Sequence, residues 1–281
     1  MRARLSAVTL TPRQFEIAAL VSVVALTLIV VTGAAVRLSG SGLGCPDWPR
    51  CFGHAYPPLK THALIEFSNR VVSGFVGLVT VGVAVLAWRR RPLRRDLAWL
   101  ALLLPVGVAG QAVLGGYTVE NKLAPGFVMS HFALSMVILV VAATLAWRAR
   151  GDGGPTPRSS DRRAVWAVRA LAPLAAIVLF AGTAATASGP HSGGAVGQSI
   201  KRLHFKGADT LNWTIHVHGA IAFLFGIAAV LVWVMLERRQ ADAQLRRAVS
   251  YVCVLVALQG IVGTVQYETH LPSELVWVHV V

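Results

Sequence analysis

Long stretches nearly free of charge recur along this chain, and they restrict its fold more than any motif does. A run of roughly 20 apolar residues is what a helix needs to cross the hydrocarbon of a bilayer. Seven such runs are legible: Phe15–Val36, Ala63–Trp88, Asp96–Tyr117, Gly126–Trp147, Ala164–Ala187, Leu211–Leu236 and Gln244–Tyr267. An eighth, SELVWVHVV, is too short to span and reads as the cut-off start of a helix that an eight-helix parent would complete. Charged residues make up only 14% of the chain, against about 25% in ordinary soluble domains. The expected class is an all-α polytopic membrane protein. The first run is too long for the apolar core of a secretory signal, and no convincing cleavage site follows it.

The formal net charge of +14 does not point to nucleic acid. The basic residues lie in short segments between apolar runs, where Lys and Arg set orientation instead of forming a binding face. Arg2, Arg4 and Arg13 precede the first run. With RRRPLRR, RARGDGGPTPRSSDRRAVWAVR and ERRQADAQLRR they put 18 of the 26 Lys and Arg on one side. The positive-inside rule makes that side, and the amino terminus with it, cytoplasmic. The loop between the first and second runs then lies outside the cell membrane.

That loop reads GSGLGCPDWPRCFGHAYPP, with Cys45 and Cys51 bracketing two prolines. Disulfides persist in oxidising compartments, so a stabilising Cys45–Cys51 bridge is the leading reading. C-x5-C is not the C-x-x-C redox spacing, which makes a redox-active pair the weaker alternative. Cys253, inside the seventh run, reads as a small buried apolar residue.

The chain also repeats itself. Gln111, Gly115 and His131 recur as Gln259, Gly263 and His279 at an offset of 148, and TGAAVRLSG around Gly33 recurs as AGTAATASG around Gly182 at 149. Two tandem, pseudo-symmetric four-helix bundles are expected, 1–150 and 164–281, joined by a cytoplasmic Gly/Pro/Ser-rich linker at 151–163. Each half begins and ends inside, so the expected relation is an axis along the membrane normal. The second bundle has its eighth helix cut short.

Polar groups cluster near the outer ends of the even-numbered helices: Glu66, Asn69 and Arg70 in IEFSNR, His131, His216 and His218 in HVHG, and His279. One such histidine alone reads as an interfacial residue with a hydrogen bond. Ionisable groups within a span are nonetheless costly and point to function. Histidines at equal depth on facing bundle helices suit axial haem ligation. Zinc suits the pattern less, because no further Cys or carboxylate converges in the second half to complete a tetrahedral set. His216 and His218 are two residues apart and face about 200° apart around a helix. Offset 149 pairs His218 with Asn69 and offset 147 pairs His216 with it, which leaves both open with a preference for His218. His54, His62, His191, His204 and His270 read as solvated or interfacial, with His62 notable for lying one turn before Glu66.

Taken together, TGAAVRLSGSGLGCPDWPRC, IEFSNR, GQAVLGGYTV, SHF, HVHG, QGIVGTVQY and WVHV resemble the haem A synthase family. That resemblance implies a protein of two four-helix bundles that converts haem O to haem A. The C8 methyl of the porphyrin becomes a formyl group through two successive hydroxylations and loss of water from a geminal diol. It further implies that the first half, 1–150, binds the substrate haem and the second, 164–281, holds a haem b. His218 (or His216) and His279 would ligate the haem b iron, His131 the substrate iron, and Glu66 would be the essential acidic residue. Glu66 could move a proton or instead pair with Arg70 or Arg37. Arg37 and Arg70 could hold haem propionates bidentately or anchor the helices at the interface. Gln111, Gly115 and Gly116 and their counterparts Gln259 and Gly263 read as packing features, small residues allowing close approach.

The sequence departs from the family at Asn69. The usual pattern there is Glu-x-x-His-Arg, and an amide is a poor iron ligand. The substrate iron would be held by His131 alone, or His62 would swing in, or the first half would bind haem weakly. Near a substrate bundle, the cysteine pair acquires a second reading as a relay of reducing equivalents or a receiver of haem. Expected partners beside haem O and the lipid bilayer are a haem O synthase and an electron donor, with self-association left open. Two further classes remain: a membrane thiol–quinone oxidoreductase working through Cys45 and Cys51, and a non-catalytic two-haem electron carrier.

Overall fold

The computed structural model describes residues 9–150 and 159–280. Among them the regular structure is helical: α1 (Pro12–Leu38), α2 (Thr61–Arg89), α3 (Arg95–Glu120), α4 (Pro125–Ala149), α5 (Arg162–Ser188), α6 (Thr210–Arg238), α7 (Ala243–Glu268) and α8 (Ser273–Val280), with a 3-10 turn at Gly207–Asp209. The seven expected runs are all helices long and apolar enough to cross a membrane, and the chain is a multi-pass membrane protein. Arg2, Arg4 and residues 151–158 of the expected linker lie outside the described residues.

The helices overrun the limits expected from hydropathy, and at α1, α5 and α7 a polar side chain caps the start. α1 starts three residues before Phe15: Gln14 N–H donates to the Thr11 hydroxyl at 3.3 Å, Thr11 N–H donates to Gln14 Oε1 at 2.9 Å, and Pro12 takes the first turn. This reciprocal capping box satisfies amides that have no partner within the helix. α5 starts where Asp161 Oδ1 accepts the N–H groups of Arg163 and Ala164, both at 3.1 Å. The same carboxylate receives Arg239 Nε at 2.6 Å, tying the start of α5 to the end of α6.

The chain divides into two compact units, Met1–Pro155 with Gly193–Lys201, and Thr156–Ser192 with Arg202–Val281. Residues 193–201 of the α5–α6 connection thus belong with the first unit. The Gly42 amide donates to the Gly193 carbonyl at 2.8 Å, and the Leu123 and Arg37 side chains lie against Gly193.

In the first unit α1 packs on α2 and α4, and α3 packs on the same two, closing a four-helix bundle. Its core pairs small with large residues: Ala19, Ala98, Ala101 and Ala142 among Phe15, Leu26, Leu97, Leu104 and Leu145. In lipid, association gains little from excluding water, so small residues that let backbones approach supply contact instead. Only 17% of the apolar window of α1 is buried and 28% of that of α2, so most of the apolar surface faces outward as a bilayer requires. In the second unit α5 packs on α6, α6 on α7 and α7 on α8, around Leu171, Phe225, Ala229, Leu236 and Val249.

The repeat seen in the sequence extends to the backbone. α3 ends with Lys122 and Leu123 in the left-handed region (φ 51° and 57°), and α7 ends with His270 and Leu271 there (φ 66° and 60°), again at an offset of 148. Leu123 N–H donates to Thr118 O and Leu271 N–H to Gln266 O, both at 2.8 Å. One turn design therefore connects α3 to α4 and α7 to α8. It carries non-glycine residues where such conformations are uncommon.

Candidate functional site

In the second unit, α6 and α8 bring His218 and His279 together with ring centroids 6.1 Å apart and planes at 90°. His218 Nδ1 lies 3.1 Å from the Val178 carbonyl of α5. A bond from Nδ1–H to that oxygen leaves Nε2 unprotonated, the usual arrangement of a ligating imidazole. Both rings rest on glycines. A Cβ built on Gly182 would lie 3.0 Å from Cε1 of His218, and one on Gly263 would lie 3.1 Å from Cε1 of His279. The repeat glycines are seats for the histidines of the neighbouring helix, a more specific role than general close packing.

His216 points elsewhere. Its Nδ1 is 2.7 Å from the Asn212 carbonyl of its own helix, its ring meets Tyr267 edge-on at 5.6 Å, and it is exposed. It borders a cavity of about 460 Å³ shared with Lys206, Asp209, Asn212 and Trp213. The two-residue spacing turns one imidazole to the bundle and the other away.

In the first unit, His131 of α4 sits on Gly115 of α3 in the same manner, with Cε1 3.3 Å from a Cβ built there. Gln111 Nε2 reaches across from α3 to the His131 carbonyl at 2.8 Å and to Ser135 Oγ at 2.6 Å. Gln111 thereby fixes the turn of α4 that carries His131, a role its spacing alone does not reveal. Asn69 of α2 keeps its Oδ1 buried with no hydrogen-bond partner. His62 is exposed at the start of α2, its Nδ1 2.9 Å from the buried Ser41 hydroxyl.

Glu66 is buried, 6% exposed, and it organises the loop after α1. Arg70 Nη2 donates to Oε1 at 2.6 Å, and the Cys45 amide donates to Oε2 at 2.8 Å. Arg70 Nη1 donates to the carbonyls of Asp47 at 3.0 Å and Arg50 at 2.9 Å. Of the two roles open to Glu66 in the sequence, the ion pair is thus present, and its partner is Arg70 and not Arg37. Arg37 instead lies near the carboxyl end of α1, beside Gly193.

Cys45 and Cys51 are joined by a disulfide, and both are fully buried against Ala63 and Phe67. Closing so short a ring restricts the unfolded chain by about 2 kcal/mol in the chain-entropy model. The Cys45→Ser/Cys51→Ser protein should lose stability of that order in a thermal melt in detergent, with Glu66 keeping its Arg70 partner. Trp48, inside the ring, lies flat on Gly116 of α3, where a Cβ would come within 2.9 Å of its Cε3. Cys253 is a free, half-buried thiol on α7.

Asp47 closes the same loop. Its carboxylate accepts the amides of Gly53 at 2.8 Å and Phe52 at 2.6 Å. The Gly53 bond, and after it that of Phe52, holds this half-buried carboxyl below its ordinary value of 3.8. A group depressed by folding stabilises the fold above its unfolded pKa and loses that contribution as pH falls through the lower folded value. Acidification below 3.8 should therefore loosen the turn at residues 47–53, raising hydrogen exchange at the Gly53 amide. Asp47→Asn should exchange faster at neutral pH and lose that pH dependence.

Of the remaining histidines, His54 stacks on Tyr56 at 5.8 Å and His191 Nε2 lies 2.8 Å from the Leu271 carbonyl. His204 and His270 are exposed.

The family model for cytochrome oxidase assembly proteins (COX15-CtaA) matches residues 16–64 and 59–281. A curated relative from Halalkalibacterium halodurans, named Heme A synthase, is 30% identical over 147 residues, covering 52% of this chain and 49% of that protein. One of the same name from Shewanella oneidensis is 32% identical over 181 residues, 57% of this chain and 51% of that protein. One from Bacillus licheniformis is 31% identical over 119 residues, 42% and 39%. The chain thus spans about half or less of the length of these relatives. The family match runs through all eight helices, and the chain belongs to the family of cytochrome oxidase assembly proteins.

Proposed function

We propose that this protein converts haem O to haem A, oxidising the C8 methyl of the porphyrin to a formyl group. The observation that carries this reading is the facing pair His218 and His279. Their rings stand 6.1 Å apart, and the Nδ1 contact of His218 with the Val178 carbonyl leaves its Nε2 free, so the two imidazoles would hold a haem b iron. A haem b held there would supply one-electron redox chemistry. His218 is the ligand in preference to His216, which is exposed against Tyr267.

The first unit takes the substrate haem. His131, seated on Gly115 and fixed through Gln111, offers an imidazole to the substrate iron. Glu66 is the acidic residue of this unit. A proton arriving at Oε1 competes directly with Arg70, so proton uptake there requires the guanidinium to shift. Arg70 already donates to the loop carbonyls of Asp47 and Arg50, so a propionate would have to compete with them for it. The excess of basic residues on one side supports a cytoplasmic amino terminus and an external Cys45–Cys51 loop. The disulfide fits that compartment as a structural brace.

A thiol–quinone mechanism would need a second accessible cysteine pair, and Cys253 is the one free cysteine among the described residues. A non-catalytic haem carrier separates from the proposed enzyme in a single experiment. Coexpression with a haem O source, then extraction and mass analysis of the haems, should yield hydroxymethyl and formyl derivatives. Haem-loaded protein that returns only unmodified haem O overturns the synthase reading, and a colourless protein overturns the haem reading altogether.

A further inference from the structure

Three of the four repeat-related positions carry an imidazole on a glycine of the neighbouring helix: His218 on Gly182, His279 on Gly263 and His131 on Gly115. The fourth pair, Asn69 and Gly33, stands at an offset of 149 from His218 and Gly182. The glycine is kept there and the imidazole is not. A Cβ built on Gly33 meets nothing within 4 Å, whereas each of the other three glycines has a ring carbon at 3.0 to 3.3 Å. Asn69, shorter than histidine, leaves its Oδ1 buried and without a hydrogen-bond partner.

Resting on the haem reading above, we infer that the first unit would hold its haem iron through His131 alone, and that the notch over Gly33, which no side chain fills, takes a small exogenous ligand. The bare glycine leaves room for a flat ring at the distance the other three seats show. Asn69 Oδ1 is closed off from solvent, so its side chain must turn to meet an N–H or O–H of the ligand, and the cost of a buried acceptor left unmet favours that turn. Asn69 is a positioning residue here and does not itself bind iron.

Spin state reads this directly, without turnover. The full chain loaded with ferric haem b should show a low-spin component from His218 and His279 and a high-spin component from His131. Free imidazole should convert the high-spin component to low-spin. Asn69→His should give that conversion with no imidazole added, its ring resting on Gly33. Gly33→Leu should retain the high-spin component and weaken imidazole binding by about tenfold or more, as the notch fills. His131→Ala should remove the high-spin component only. A protein that carries only the low-spin haem, or whose second haem is low-spin before imidazole is added, overturns the inference and leaves the second-unit site standing. Loss of the low-spin component from the unaltered protein is a different result and counts against the proposed function itself.

Discussion

Changing His279 to alanine should abolish the low-spin haem absorption of the purified protein, and His218→Ala should do the same. The two rings face each other at 6.1 Å and each rests on its own glycine, so neither can be replaced by a neighbour without rebuilding a helix contact. Removing one imidazole leaves a single strong-field ligand, and the Soret and alpha bands should move to high-spin positions or vanish with the haem. His216→Ala is the control. Its ring lies against Tyr267 and bonds to its own helix, so the spectrum should be unaltered. A surviving low-spin spectrum in His279→Ala, with haem content unchanged, would remove that residue from the ligand set.

Substitution of Glu66 should have the second-largest effect, and on two separate readouts. General acid–base groups contribute about a hundredfold or more to turnover, so Glu66→Gln should lower formyl-haem yield by at least that order. The same change puts an amide NH₂ where one carboxylate oxygen receives Arg70 or the Cys45 amide. A donor then faces a donor, at a cost of about 1–3 kcal/mol for the buried group left unmet. The loop around the disulfide should loosen accordingly, detectable as faster hydrogen exchange at Cys45. The low-spin haem of the second unit should be unaffected, because Glu66, Arg70 and Cys45 all belong to the first unit. Glu66→Asp tests the partition: the charge is kept and the reach shortened, so loop stability should recover less than activity if proton transfer is the main role. Full activity in Glu66→Gln would reduce Glu66 to a loop anchor.

Asp161 and Arg239 show how the same physics acts where no chemistry is at stake. Their contact caps α5 and joins it to α6, and the Arg239 hydrogen bond holds the half-buried Asp161 carboxyl below its ordinary range. Solvent-accessible pairs of this kind are screened by salt and contribute little to stability. Glu66, with two donors and almost no exposure, is the opposite case.

The helices could be read directly from the order of residues. Their apolar runs are long, bounded by basic segments, and satisfy their backbone groups internally, the constraint lipid imposes on any spanning segment. The offset of 148 to 149 likewise announced the duplication before the turn at Lys122–Leu123 was found to recur at His270–Leu271. The Cys45–Cys51 bridge, the leading reading of two cysteines six residues apart in a proline-stiffened loop, is present. What could not be read was direction. HVHG carries two histidines with equal chemical credentials, and only the packing of α6 against α5 and α7 turns His218 toward His279 and His216 toward Tyr267. Gly115 and Gly263 read as general packing residues, yet each seats one particular imidazole, as does Gly182. IEFSNR left Glu66 a choice of partners, which the approach of the loop settled as Arg70 and the Cys45 amide. Spanning segments and their repetition are local properties, written in hydropathy along the chain. Which polar groups meet inside the bundle depends on helix rotation and on loops folding back between distant residues, and these exist only once the helices are packed.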